Sequence, residues 1–292
     1  MGIILVGYDG TERGERALAW ASRRAQQTGD GLALFTAIDA RLAKANGLDQ
    51  EALRARVVQT LSERRERLLA SHPALSVTIT CANDRVVPAL VKASEQCNMI
   101  VMGSHHGSSI GETVSSAKGL RVSVGSKVPT VIVPADWSPD DTRTGVVVGI
   151  DGMGKAGWSV DFGADEAVRT GEELSIVTVW GVTPWLDKAA KAIGGEITRV
   201  GENIQVMLDN AKDRLEAAHE GLSVHAEAIE GGSPSKVLNA YASSRRLLVL
   251  GANPHGALSR AAFGSTAHST VMNLRAPTAL VPQPEDYAPD QG

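Results

Sequence analysis

The chain has 292 residues, 43% of them hydrophobic and 21% charged, with a formal net charge of −4. That balance calls for a packed core, excludes wholesale disorder, and gives no electrostatic case for nucleic acid or an anionic membrane surface. No apolar run approaches the roughly 20 residues of a spanning helix. The opening MGIILVGYDG has no signal core or cleavage site, and the two cysteines, Cys81 and Cys97, allow neither a disulfide framework nor a four-cysteine zinc site. A soluble, cytoplasmic protein of two domains is expected.

Taken in chain order, short β-branched runs alternate with helical patterns. Strands are expected at 3–7, 32–38, 77–81, 99–103 and 130–133. Between the first two, Leu18, Ala21 and Ala25 share one helix face. A longer helix near 50–70 turns Leu53, Val57, Leu61 and Leu68 inward and leaves Arg54, Glu63, Arg64 and Glu66 largely outward. Its basic residues Arg56, Arg64, Arg65 and Arg67 read as a solvated face. Pro134 to Thr144 is polar and broken by proline, hence a linker.

The pattern then begins again. Val146-Val147-Val148-Gly149-Ile150-Asp151 repeats the first strand and its Asp9 at an offset of 142 residues. Leu247-Leu248-Val249-Leu250-Gly251 repeats 99–103, and Ala279-Leu280-Val281-Pro282 repeats 131–134, both at an offset of 148. In between, Ile204, Met207, Ala211, Leu215 and Ala218 keep a helical period, and Ser233 with Pro234 reads as a helix start. So nearly constant an offset means a duplicated domain, far longer than a solenoid unit. The expected boundaries are 1–135, a linker at 136–144, 145–283, and a tail at 284–292. The strands are continuous apolar runs, as sheets covered on both faces require. Strand–helix alternation of this kind predicts an α/β chain of two tandem, doubly wound, five-stranded parallel sheets.

Ligands of open parallel sheets bind beyond the carboxyl ends of the strands, at the switch in strand order. In the second repeat that region carries Gly251, Pro254, His255, Gly256, Arg260 and then Gly264-Ser265-Thr266 before a helical stretch through Ala267, Val271 and Leu274. Glycine lets a phosphate approach the backbone, and a helix start offers free amides, hydroxyls and the positive dipole end. The bland alternative is an ordinary glycine loop with an N-cap. His105 and His106 lack an acidic or cysteine partner set, so no metal site is expected. Cys81 and Cys97 read as isolated core residues, and Asp9 and Asp151 as strand-end groups that cap a turn or bind ribose.

These residues carry a family resemblance. Gly251, Gly264 and Ser265, together with Val6-Gly7-Tyr8-Asp9-Gly10, Val148-Gly149-Ile150-Asp151-Gly152 and the two closing strands, resemble the universal stress protein pattern across both repeats. The resemblance implies ATP at the strand ends, with Mg²⁺ accompanying its phosphates. Asp151 matches the aspartate near adenine and ribose, and Val179 the position whose main chain touches adenine. Gly251 opens the loop, and Gly264, Ser265 and Thr266 match its phosphate-holding end. Pro254 stands where a second glycine belongs, removing an amide donor, and Gly256 follows two residues later. The first repeat departs further. It keeps Gly103 and Asp9 but has Ser116, Ala117 and Lys118 in place of Gly264, Ser265 and Thr266. Weaker or absent nucleotide binding is expected there, with Lys118, Ser115 and Ser116 left to hold an anion. The resemblance also implies pairing of the two closing strands, an internal pseudo-dimer.

No P-loop, Gly-x-Ser-x-Gly or zinc signature occurs, and no base–nucleophile pair can be assembled. The leading reading is an ATP-binding stress-response regulator with little or no catalysis, slow ATP hydrolysis being left open, and with a protein partner that is unknown. The alternative is a non-nucleotide, dimeric interaction scaffold recruited through an exposed strand edge, with homodimer formation as one form. Enzymes of the wider adenine-nucleotide α-hydrolase group would need Ser-Gly-Gly-x-Asp-Ser or His-Ile-Gly-His, and neither is present.

Overall fold

The computed structural model describes residues 2–104, 110–151, 157–181, 192, 199–252 and 265–284, without the side chains of 110–117 and 199. The chain divides into two compact units, Met1–Asp141 and Thr142–Gly292.

In the first unit, β1 (Ile3–Gly7) runs into α1 (Glu12–Thr28), β2 (Gly31–Ala37), α2 (Ala40–Ala45) and α3 (Gln50–Ser71). Then come β3 (Val77–Ala82), α4 (Val86–Ala93), β4 (Met99–Gly103), α5 (Ile110–Gly125) and β5 (Thr130–Val133). The strands lie in the order β3-β2-β1-β4-β5, and the pairs between them are parallel. The strand order places β2 and β3 on one side of β1 and β4 and β5 on the other, which is what makes the sheet doubly wound. Helices on both faces explain the apolar strands: Ile4, Val6, Leu34, Ile100, Val101 and Val131 are all essentially buried.

Helix α1 forms where Ala17, Leu18, Ala21 and Ala25 recur on one buried face. It stops at Gly29, whose φ of 71° closes the helix in the left-handed region while its amide donates to Ala25 O. Helix α3 starts because the Asp49 carboxylate accepts from the Ala52 amide at 2.7 Å. Its inward stripe is narrower than the periodicity suggests, since Leu61 and Leu68 are buried and Leu53 and Val57 only half-buried.

Two arginines of α3 bond to other elements; Arg64 is half-buried, against the solvated face expected for it, whereas Arg65 stays exposed. Arg64 reaches Glu15 of α1 with both Nε and Nη2, at 2.7–3.0 Å, and Arg65 Nε donates to Val77 O at 2.8 Å. Long stems let a charged head cross the helix edge to a partner that a wheel projection does not contain. Helix α2, with Asp39 accepting from the Arg41 amide, was not expected from the pattern; six residues are too few to show a period.

The second unit repeats the scheme. It contains β6 (Val146–Gly149), α6 (Gly157–Thr170), β7 (Leu174–Trp180), α7 (Arg199–Ala218), β8 (Val224–Glu230), α8 (Pro234–Ala242), β9 (Leu247–Ala252), α9 (Ser265–Val271) and β10 (Thr278–Pro282). Its order is β10-β9-β6-β7-β8, and the pairs between these strands are parallel. Gly171, with φ 65°, ends the stretch after α6 as Gly29 does after α1. Along α7 Leu208 and Leu215 are buried apolar side chains, and Ala218 is exposed near the helix end. Ser233 is the N-cap of α8, with Pro234 in the first turn and no side-chain capping bond. Among the described residues, no helix is long and apolar enough to cross a membrane.

Candidate functional site

Strand order locates the site. In the second unit the chain passes from β6 to β7 on one side, while β9 lies on the other, so the switch point falls between β6 and β9. There, diverging connections leave a crevice at the carboxyl ends. The register pairs Gly149 of β6 with Leu250 of β9, which brings Asp151 and Gly251 to the two lips of that crevice. Asp151 is exposed, and Gly251 is half-buried. Val179 is half-buried near the end of β7, paired with Ile229 of β8. Ser265 and Thr266 open α9, the serine exposed and the threonine half-buried. Gly256 and Gly264, with Pro254, lie outside the described residues, as do His105 and His106.

The wall beside Gly251 is aromatic. A side chain on Gly251 would meet Trp158 of α6 at 3.4 Å, an ordinary contact. The indole is held in place by its Nε1 donating to Val281 O at 3.1 Å. Sequence reading did not single out Trp158. Its signal was a tryptophan at the start of the first crossover helix, and the structure buries it under the end of β9 and against β10.

The equivalent switch point of the first unit, between β1 and β4, holds a cleft of about 110 Å³. Asp9 and Gly103, the two residues retained there from the pattern, both line it, and Lys118 joins them from α5. The structure gives Asp9 and Gly103 partners within the fold. One Asp9 oxygen accepts from the Thr11 amide at 3.1 Å and from the Thr11 hydroxyl at 2.5 Å. The other accepts from Arg13 Nε at 2.8 Å and from its Nη2 at 2.5 Å. Burial works to raise the Asp9 pKa, but the bonds from Thr11 and Arg13 outweigh it and the net shift is downward. Gly103 packs under the Arg13 backbone so closely that a Cβ would lie 2.1 Å from the Arg13 carbonyl oxygen.

Tyr8, which also lines the cleft, donates to Glu15 at 2.5 Å, and Glu15 also takes both forks of Arg64. Burial and the bond to Glu15 push the phenol up to about 12. Burial opposes ionisation of Glu15, yet Arg64 and Tyr8 hold its carboxyl below the usual range. Tyr8 thereby ties β1 to α1 and α3 and is committed to the fold rather than to proton transfer.

Cys81 and Cys97 are free and half-buried. Burial raises both thiols, Cys97 to about 11. Among the described residues no group of three or more His, Cys, Asp or Glu side chains could hold a metal ion.

The sequence model of the Universal stress protein family matches residues 1–134 and again residues 143–282. The chain belongs to that family. Similar relatives include universal stress protein Rv1996 of Mycobacterium tuberculosis strain H37Rv, 22% identical over an alignment of 306 residues covering 98% of this chain and 96% of that one. A universal stress protein of Mycolicibacterium smegmatis is 23% identical over 291 residues, covering 95% and 96%. Among solved structures, a universal stress protein from Archaeoglobus fulgidus superposes with a TM-score of 0.69 at 21% identity, covering 98% of both chains. That likeness supports the fold, and both repeats fall within a family match.

Proposed function

We propose that this universal stress protein is an ATP-binding regulator whose working nucleotide site is the crevice of the second unit, with little or no catalysis. The observation that carries the reading is the placement of Asp151 and Gly251 on opposite lips of the β6/β9 switch point, with Val179 on the next strand. An aspartate there can accept from a ribose diol, and β7 offers main-chain groups to an adenine edge. Ser265 and Thr266 supply hydroxyls and amides at the start of α9 for phosphate oxygens. The donors are oxygens and amides rather than a metal-ligand set, so Mg²⁺ would be held through the phosphates.

Binding would act by mass action, favouring one conformation or association state. Two family domains in one chain fit an internal pseudo-dimer. The second reading is a non-nucleotide scaffold, favoured by the proline at 254 where a glycine amide is wanted. The test is to denature the purified protein, identify and count released nucleotide, and titrate ATP·Mg into the emptied protein and into Gly264→Asp. Near one ATP per chain, lost in the variant, is expected. No released nucleotide and no binding heat would overturn the nucleotide reading in favour of the scaffold.

A further inference from the structure

The first unit's cleft has the position of a ligand site but a different chemistry. Its apolar wall is made by Phe35, Val86, Leu90 and Met102, and its charged groups are Arg13, Lys118 and Asp9. A carboxylate offers about four acceptor positions, and Thr11 and Arg13 supply four donors to Asp9. No acceptor is left over for the paired hydroxyls of a sugar. A nucleoside would have to displace a guanidinium held by two charge-assisted bonds, the strong kind. What the cleft presents beyond that closed pair is the Lys118 ammonium over an apolar wall, with two cations against one carboxylate.

The sequence shows that this closure belongs to the first repeat. Two and four residues after the strand-end aspartate stand Thr11 and Arg13 in the first repeat, but Met153 and Lys155 in the second. Methionine has no hydroxyl to donate, and lysine has no planar fork to grip a carboxylate bidentately.

We infer that the first unit's cleft is a separate site for a small organic anion with an apolar body and no sugar diol, held by Lys118, and that the Arg13–Asp9 pair is what excludes nucleosides from it. A phosphate or carboxylate at Lys118 would leave its hydrophobic part against Phe35 and Met102. Such a ligand asks nothing of Asp9, so the pair stays intact.

The test follows the methyl resonance of Met102 in full-length protein labelled at its six methionines, the signal being assigned with Met102→Leu. This readout reports on the first cleft alone and is independent of any nucleotide in the second unit. Phenyl phosphate is expected to shift the Met102 signal in the wild type, and adenosine to leave it unmoved. Lys118→Ala should weaken phenyl phosphate at least tenfold while Lys118→Arg keeps most of the affinity. Arg13→Met should admit adenosine, and adding Asp9→Asn should remove it again. Adenosine binding to the wild-type cleft as well as phenyl phosphate does would overturn the inference. So would phenyl phosphate leaving Met102 unmoved, or Lys118→Ala binding it as tightly as the wild type. An Arg13→Met protein that is folded by its thermal melt yet refuses adenosine would refute the excluding role of the pair.

Discussion

Alanine at Gly103 should damage the protein far more than alanine at Gly251, although the two occupy equivalent places in the repeats. At Gly103 the new Cβ would stand 2.1 Å from Arg13 O and 2.7 Å from Arg13 C, both backbone atoms. Ordinary contact needs about 3.4 Å, so the first turn of α1 would have to move by more than about 1 Å. That movement pulls on the Asp9–Arg13 pair and on Glu15, which is anchored to Tyr8 and Arg64. Overpacking of this kind costs about 1–3 kcal/mol, and a backbone obstacle that cannot rotate away puts Gly103→Ala at the upper end. For a unit of this size, about 3 kcal/mol lowers Tm by roughly 6–12 °C.

At Gly251 the Cβ would meet Trp158 at 3.4 Å and the Ser159 hydroxyl at 3.7 Å, so Gly251→Ala should stay within about 0.5 kcal/mol of the wild type. Thermal and urea melts of the two variants decide the matter. Equal stabilities, or a Gly251→Ala protein less stable than Gly103→Ala, would refute the close packing of α1 on β4 in the first unit.

Stability should be lost at both pH extremes through the same network. The depressed Glu15 contributes above the ordinary carboxylate range and loses its contribution as the pH falls through its lowered value. Tyr8 contributes fully below about 10, the unfolded phenol value, and loses its contribution as the pH rises through about 12. Titrating phenolate absorbance should show one of the three tyrosines ionising near 12, and Glu15→Gln should bring it down. Arg246→Met should destabilise the second unit by about 3 kcal/mol in a urea melt, because it leaves the largely buried Glu172 without its 2.6 Å partner. Native protein at pH 8 should react slowly with iodoacetamide at both cysteines, Cys97 the slower, and rapidly once unfolded.

How the chain divides between sequence and tertiary structure can be read from particular residues. The duplication, eight of the ten strands and the longest helices were legible because burial on both faces of a parallel sheet writes itself as continuous apolar runs such as Val146 to Val148, and helix faces as Leu18, Ala21 and Ala25. The retained glycines and aspartates were legible as a motif. Only the tertiary structure decided what those residues do: Gly103 packs against a helix backbone, whereas Gly251 borders a tryptophan that reaches Val281, 123 residues away in sequence. The partners of Arg64 and Arg65 likewise came from other elements, which no periodicity along one helix contains. Local sequence determines which face of an element is apolar, since that depends on spacing alone. Which atoms meet at a crossing of two elements depends on where the rest of the chain has put them, so the loop residues that set the repeats apart were legible in sequence, whereas the packing of Gly103 and Gly251 was not.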